Sequence, residues 1–356
     1  MPTELDLIGS YTGLLSLACF CIYTGAFGSL PQNVRSGAKK DGTDDEDEDE
    51  EEPERLSLDD AWFFPIIGSV VLFGLFLVIK YFGKEWVNWI LGWYFSFAGI
   101  GSVWKSSVSL TRYVLGPQKW KEFERFSLAV KKGHVNIFSL NWRTPSLVLL
   151  PLAVIPSVLY RYSPASRRSA LLTDVLSISF SQNALSLLKV DSFKTGTVLL
   201  SGLFLYDIYW VFGTRVMVEV ATSLDVPIKL LWPKSLSFSD ENGFTLLGLG
   251  DIVIPGAFVA LGLRYDYYRH VKKENRSSSA SFSKPYFYAS LVAYVAGLVT
   301  TMTVMHTFKA AQPALLYLSP ACILSFLLTA FFRGEFKDAW NWVDGSESNK
   351  EHDKKE

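Results

Sequence analysis

Cysteine and histidine are nearly missing from this chain, with three and four copies among 356 residues. Cys19, Cys21 and Cys322 all fall in apolar runs and form neither a disulfide framework nor a CxxC metal spacing, so packed or lipid-facing thiols are expected. His134, His270, His306 and His352 are scattered, with no HExxH and no second-ligand spacing. Zinc chemistry therefore loses its donors, and no metal or cofactor is expected. A G-x-S-x-G nucleophile elbow is also missing, which argues against a serine hydrolase. The formal net charge is -1, so the balance carries no basic excess of the kind that marks a nucleic-acid partner.

The near-neutral total hides segregation. Long uncharged runs alternate with short charged segments, the pattern of a polytopic helical membrane protein. An all-α fold with nine transmembrane helices is expected, at 7–30, 61–82, 86–104, 145–160, 170–188, 195–215, 243–263, 286–305 and 310–332. Pro145, Pro151 and Pro156 interrupt the fourth run, which requires neighbouring helices to satisfy the freed backbone groups. The organisation that follows is a first anchor at 1–30, an acidic loop at 31–60, helices two to five within 61–190, helices six to nine within 191–335 and a polar tail at 336–356. Most Lys and Arg lie in the segments after the odd-numbered spans. By the positive-inside rule these are cytosolic, so the amino terminus is expected on the lumenal side and the carboxyl terminus in the cytosol. The first run has no basic residues before it and reads as an uncleaved anchor.

Asp44 to Glu52 is an unbroken acidic stretch, expected to be a disordered tether because like charges repel and no apolar partner is at hand. Asn275-Arg276-Ser277 matches a glycosylation acceptor but falls in a segment expected to be cytosolic. The basic segment from Lys105 to Arg143 carries no recognisable motif.

Two carboxylates sit inside membrane-length runs: Asp207 in the sixth and Asp251 in the seventh. A charge at the bilayer centre costs about 2.5 to 3.5 kcal/mol on insertion scales, so such residues mark chemistry or transport. Asp207 lies eight residues, about 12 Å of helix, from Arg215, and Asp251 lies ten residues, about 15 Å, from Glu241. Consecutive spans run antiparallel, so both distances are measured from one face and the two groups can meet. Carboxylates brought close cannot both ionise and share one proton, the arrangement that lets one activate water while the other polarises a peptide carbonyl. Tyr206 and other aromatics flank Asp207, and Gly248, Leu249 and Gly250 precede Asp251, the glycines removing bulk beside it. At the start of the last span, Gln312-Pro313-Ala314-Leu315 places a proline where it caps or kinks a helix.

Taken together, Tyr206-Asp207, the Gly248 to Asp251 glycine-x-glycine-aspartate motif and Pro313-Ala314-Leu315 resemble the intramembrane aspartyl proteases of the presenilin and signal peptide peptidase superfamily. Ser192 to Gly196, Gly248 to Gly256, Leu263 to Asp266 and Pro227 to Pro233 are similar to the signal peptide peptidase branch, and a fungal member is expected. The resemblance implies a presenilin-like fold and an aspartic endopeptidase with Asp207 and Asp251 as catalytic groups. Tyr206, Gly248, Leu249, Gly250, Gln312, Pro313, Ala314 and Leu315 would shape the site. It further implies a multi-pass protein of the endoplasmic reticulum membrane whose partners are lipid, signal-peptide remnants and type II or tail-anchored segments, with degradation machinery and further copies of itself as other associates. Two other readings stand beside it: an ion or proton leak channel or transporter that uses the same buried carboxylates, and a non-proteolytic membrane-protein quality-control receptor. Ion flux that persists without proteolysis would mark the first, and binding that survives loss of both carboxylates the second.

Overall fold

The structure is a computed structural model describing residues 4–31, 55–132, 135–163, 169–234, 243–274, 282–308 and 312–345. The acidic run, the Asn275 site and the polar tail beyond Gly345 lie outside the described residues. Among the described residues, nine helices of at least eighteen residues overlap the nine expected spans. They are α1 (Glu4–Gly28), α2 (Leu58–Phe82), α3 (Lys84–Glu122), α4 (Thr144–Tyr162), α5 (Ala170–Leu187), α6 (Phe193–Phe212), α8 (Gly250–Glu274), α9 (Pro285–Phe308) and α10 (Leu315–Phe332), with short α7 (Val216–Ser223) and α11 (Phe336–Asn341) between or after them. Six of the nine, α1, α2, α4, α6, α9 and α10, are long and apolar enough to cross a membrane.

Helix boundaries follow local chemistry. Ser57 caps α2 through a capping box with Asp60. In α3 the chain runs well past the expected 86–104 before Gly116, at φ 79, breaks the helix. Pro151 and Pro156 stay inside α4, and the Trp104 indole of α3 donates to the Ser146 carbonyl at 2.7 Å.

The described residues are mostly helical, as expected, but they also hold strands. Three two-stranded sheets punctuate the bundle: β1 (Arg55–Leu56) parallel to β4 (Lys189–Val190), β2 (Arg125–Lys132) antiparallel to β3 (Val135–Arg143), and β5 (Lys229–Pro233) antiparallel to β6 (Phe244–Gly248). The last pair also moves the seventh span. Residues 244–248 alternate between buried and more exposed, a strand period, and the glycines at 248 and 250 are poor helix formers. The helix therefore begins at Gly250 and extends to Glu274, rather than occupying 243–263.

The core is centred on α8, which α6 approaches closely. A Cβ on Gly196 would sit 2.7 Å from the Phe258 ring, so the glycine is what allows this approach. One turn earlier Phe193, fully buried, stacks on Phe326 of α10 at 4.0 Å and meets Phe258 at 5.8 Å and Tyr265 at 5.5 Å edge-on. At the same end, the buried Arg264 donates to the Val190 carbonyl and, at 2.8 Å, to Asp344, tying the last described residues to β4. By contrast α2 turns Trp62, Phe63, Ile66, Ile67, Val70 and Val71 outward, as a helix with lipid on most sides can.

Gly196→Val is expected to push α6 off α8. The overpacking should cost about 1 to 3 kcal/mol, read as a lower thermal unfolding midpoint of the purified protein in detergent. An unchanged midpoint would contradict the close-packing account.

Candidate active site

The Phe193–Tyr265 contact gives a ruler for the two expected carboxylates. Asp207 lies fourteen residues beyond Phe193 along α6, and Asp251 lies fourteen residues before Tyr265 on α8. Because the helices run antiparallel, both residues stand about 21 Å from that contact along their helices, at matching height. Asp207 is 4% exposed, and Asp251, in the first turn of α8, is half-buried.

The three sequence motifs converge here. Leu315 donates its backbone N–H to Asp207 Oδ2 at 3.3 Å, a contact available because Pro313 and Ala314 lead into the first turn of α10, where N–H groups have no partner within the helix. Leu315 is also buried in a cluster with Leu56, Ala61, Leu199 and Leu203, against which Tyr206 and Ile254 pack. One small apolar cluster thus holds a residue from the Tyr206-Asp207 motif, one from the Pro-Ala-Leu motif and one lying three positions after Asp251. Pro313 and Ala314 are buried and Gln312 is half-buried just before them.

The two glycines of the second motif separate in role. A Cβ on Gly248 would stand 3.3 Å from the Asp251 carboxylate, so this glycine makes room for the acid itself. A Cβ on Gly250 would meet nothing within 4 Å, so close helix approach does not explain that position. Leu249 is the pivot from strand to helix: its N–H donates to the Ile228 carbonyl at 3.0 Å, continuing the β5–β6 ladder, while its own carbonyl accepts from Ile252 and Val253 to start α8.

Around Asp207, α2 supplies a wall. The Trp210 indole donates to Ser69 Oγ at 3.0 Å, a Cβ on Gly202 would press on Pro65 at 2.7 Å, and Gly68 lies opposite the Tyr206 ring.

A third acid was passed over in the sequence. Asp174, five residues into α5, accepts the Leu231 N–H of β5 at 2.8 Å. The insertion penalty that singles out Asp207 and Asp251 applies to it too, since it lies within the expected fifth span at 170–188.

Among known proteins, the signal peptide peptidase family model matches residues 48–346. A signal peptide peptidase of Homo sapiens is 37% identical over 341 residues, covering 95% of this chain and 84% of the relative. A probable intramembrane protease of Schizosaccharomyces pombe is 34% identical over 290 residues, 81% of this chain and 83% of that protein. One of Saccharomyces cerevisiae is 37% identical over 216 residues, 59% of this chain and 36% of that protein.

Gly248→Ala should displace the Asp251 carboxylate by a few tenths of an ångström and lower turnover of a membrane-helix substrate about ten-fold, with little loss of substrate binding. Wild-type turnover in that variant would show that the room beside the acid is not needed.

Proposed function

The chain belongs to the signal peptide peptidase family and is an intramembrane aspartic protease, and on that premise we propose that Asp207 and Asp251 are its catalytic pair. The observation that carries this is the meeting of three motifs: Asp207 buried under the Leu315 N–H, Asp251 seated against the bare Cα of Gly248, and both at one height on antiparallel helices. One carboxylate, ionised, takes a proton from a water held between the two. The other, protonated, donates to the carbonyl oxygen of the scissile peptide. The hydroxide adds to the carbonyl carbon, and the proton gained from water passes to the leaving nitrogen as the C–N bond breaks.

A helical peptide hides its carbonyls in i to i−4 hydrogen bonds, so the substrate segment must unwind before it can be cut. The setting supports that step. The β5–β6 sheet has two strands among the described residues, so the edge of β6 facing away from β5 can accept an extended peptide alongside the residues that lead into Asp251. Tyr206, Leu249, Gly250, Gln312, Pro313, Ala314 and Leu315 shape the surrounding site, and the open space at Gly250 is where substrate backbone passes.

The remaining parts of the reading follow from family and charge pattern. All nine long helices cross the bilayer, with the amino terminus lumenal and the carboxyl terminus cytosolic in the endoplasmic reticulum. Helices α6, α8, α9 and α10 form the catalytic half. Substrates are signal-peptide remnants and type II or tail-anchored segments, some delivered through membrane-protein quality control, and copies of the chain associate.

Purified protein reconstituted with a signal-peptide substrate tests the pair. Asp207→Asn and Asp251→Asn should each lower turnover about a thousand-fold or more, since each removes a proton-transfer group. Near wild-type cleavage by either single variant would end the proposal.

A further inference from the structure

The β5–β6 sheet has two outer edges, and they are treated differently. In the register of the pair, Ile228 and Leu230 turn their backbone groups to β6, as the Leu249 N–H to Ile228 carbonyl bond shows, so Lys229 and Leu231 turn theirs outward. That outward edge is met by α5. Asp174 Oδ1 accepts the Leu231 N–H at 2.8 Å. The hydroxyl of Ser177, one turn further along α5, lies 2.8 Å from the Lys229 carbonyl and 3.0 Å from that of Pro227, its proton directed to both. Ser177 is fully buried. Helix side chains thus replace the strand that would otherwise pair with β5.

The rest of the cradle comes from α1. Ser10 Oγ contacts the Thr245 hydroxyl of β6, Thr245 donates onward to the Trp232 carbonyl at 3.1 Å, and the Trp232 ring lies over Gly13. A lone two-stranded sheet is marginally stable, so its position depends on these outside contacts. Three residues after Thr245 comes Gly248, whose Cα faces the Asp251 carboxylate.

We propose that Asp174, assisted by Ser177, is a positioning residue for proteolysis: it closes the outer edge of β5 and so fixes β6, the strand beside Asp251, at the height that selects which substrate bond is cut. The carboxylate touches neither substrate nor water in the reaction. It acts as an acceptor for one backbone N–H, and the amide oxygen of asparagine can do the same. The inference rests on the assignment of Asp207 and Asp251 in the preceding subsection.

The full chain, reconstituted in liposomes with a synthetic signal-peptide helix, is assayed for kcat, KM and, by mass spectrometry of the products, the position of the cut. Asp174→Asn should cut at the wild-type bond with kcat within about two-fold. Asp174→Ala should lose about ten-fold in kcat at that bond and spread its products over neighbouring bonds. Ser177→Ala should shift the cut in the same direction to a smaller extent, and it carries the test if Asp174→Ala does not fold. Three results overturn the role: Asp174→Ala matching wild type in rate and cut position, a lower rate with an unchanged product pattern, or Asp174→Asn as damaged as Asp174→Ala. Asp207→Asn and Asp251→Asn run alongside. If they cleave, the catalytic assignment fails; if they are inert and the Asp174 variants keep the wild-type pattern, the positioning role alone fails.

Discussion

The distance between α6 and α8 governs the whole site, and a missing side chain sets it. Water cannot drive helices together within a bilayer, because lipid tails are as apolar as leucine, so close packing must do so. Gly196 provides the approach and Phe258 fills it, while the Phe193 stack on Phe326 ties the same point to α10. With that crossing fixed, Asp207 and Asp251 arrive at one height without any direct bond between their helices at the site. The Leu315 turn of α10 then closes over Asp207, because the helix that carries it is already anchored eleven residues further on, at Phe326.

The second constraint concerns backbone that is not helical. A strand pair among membrane helices needs partners for its outer polar groups, since lipid offers none. Asp174 and Ser177 serve one side of β5, and hydroxyls of α1 and β6 meet at the other end of the hairpin. Polar residues scattered through three separate apolar runs thus meet at one short sheet beside the first turn of α8.

The family and its kind of chemistry were legible in the sequence, through short motifs set in apolar runs. Asp207 and Asp251 announce themselves because a charge in an apolar run is costly, and Gly248 and Pro313 do so because they are conformationally special. The helices were legible for the same reason, through length and apolarity. The strands were not. Phe244 to Gly248 is apolar enough to be absorbed into a span by any hydropathy window, and only pairing with the distant Lys229 to Pro233 reveals its alternation. The β2–β3 hairpin lies in a segment whose interspersed basic residues break up the apolar pattern of its strands. No neighbouring residue marks Asp174, because its contact is with Leu231, a partner 57 residues away. The depth estimate for Asp251 counted seven strand and turn residues as helix, so its agreement with Asp207 came for a reason other than the one assumed.

Helix α2 meets α6 along one narrow face, through Pro65 on Gly202, Ser69 on Trp210 and Gly68 near Tyr206, while Trp62, Phe63, Ile66, Ile67, Val70 and Val71 turn outward. Acyl chains can solvate that narrow face as comfortably as α6 does. Its residence next to Asp207 is consequently a matter of fit and not of greasiness. Trading one aliphatic residue for another on its outer side leaves the fit untouched, whereas a single added methyl at the seam loosens the wall that shields the acid.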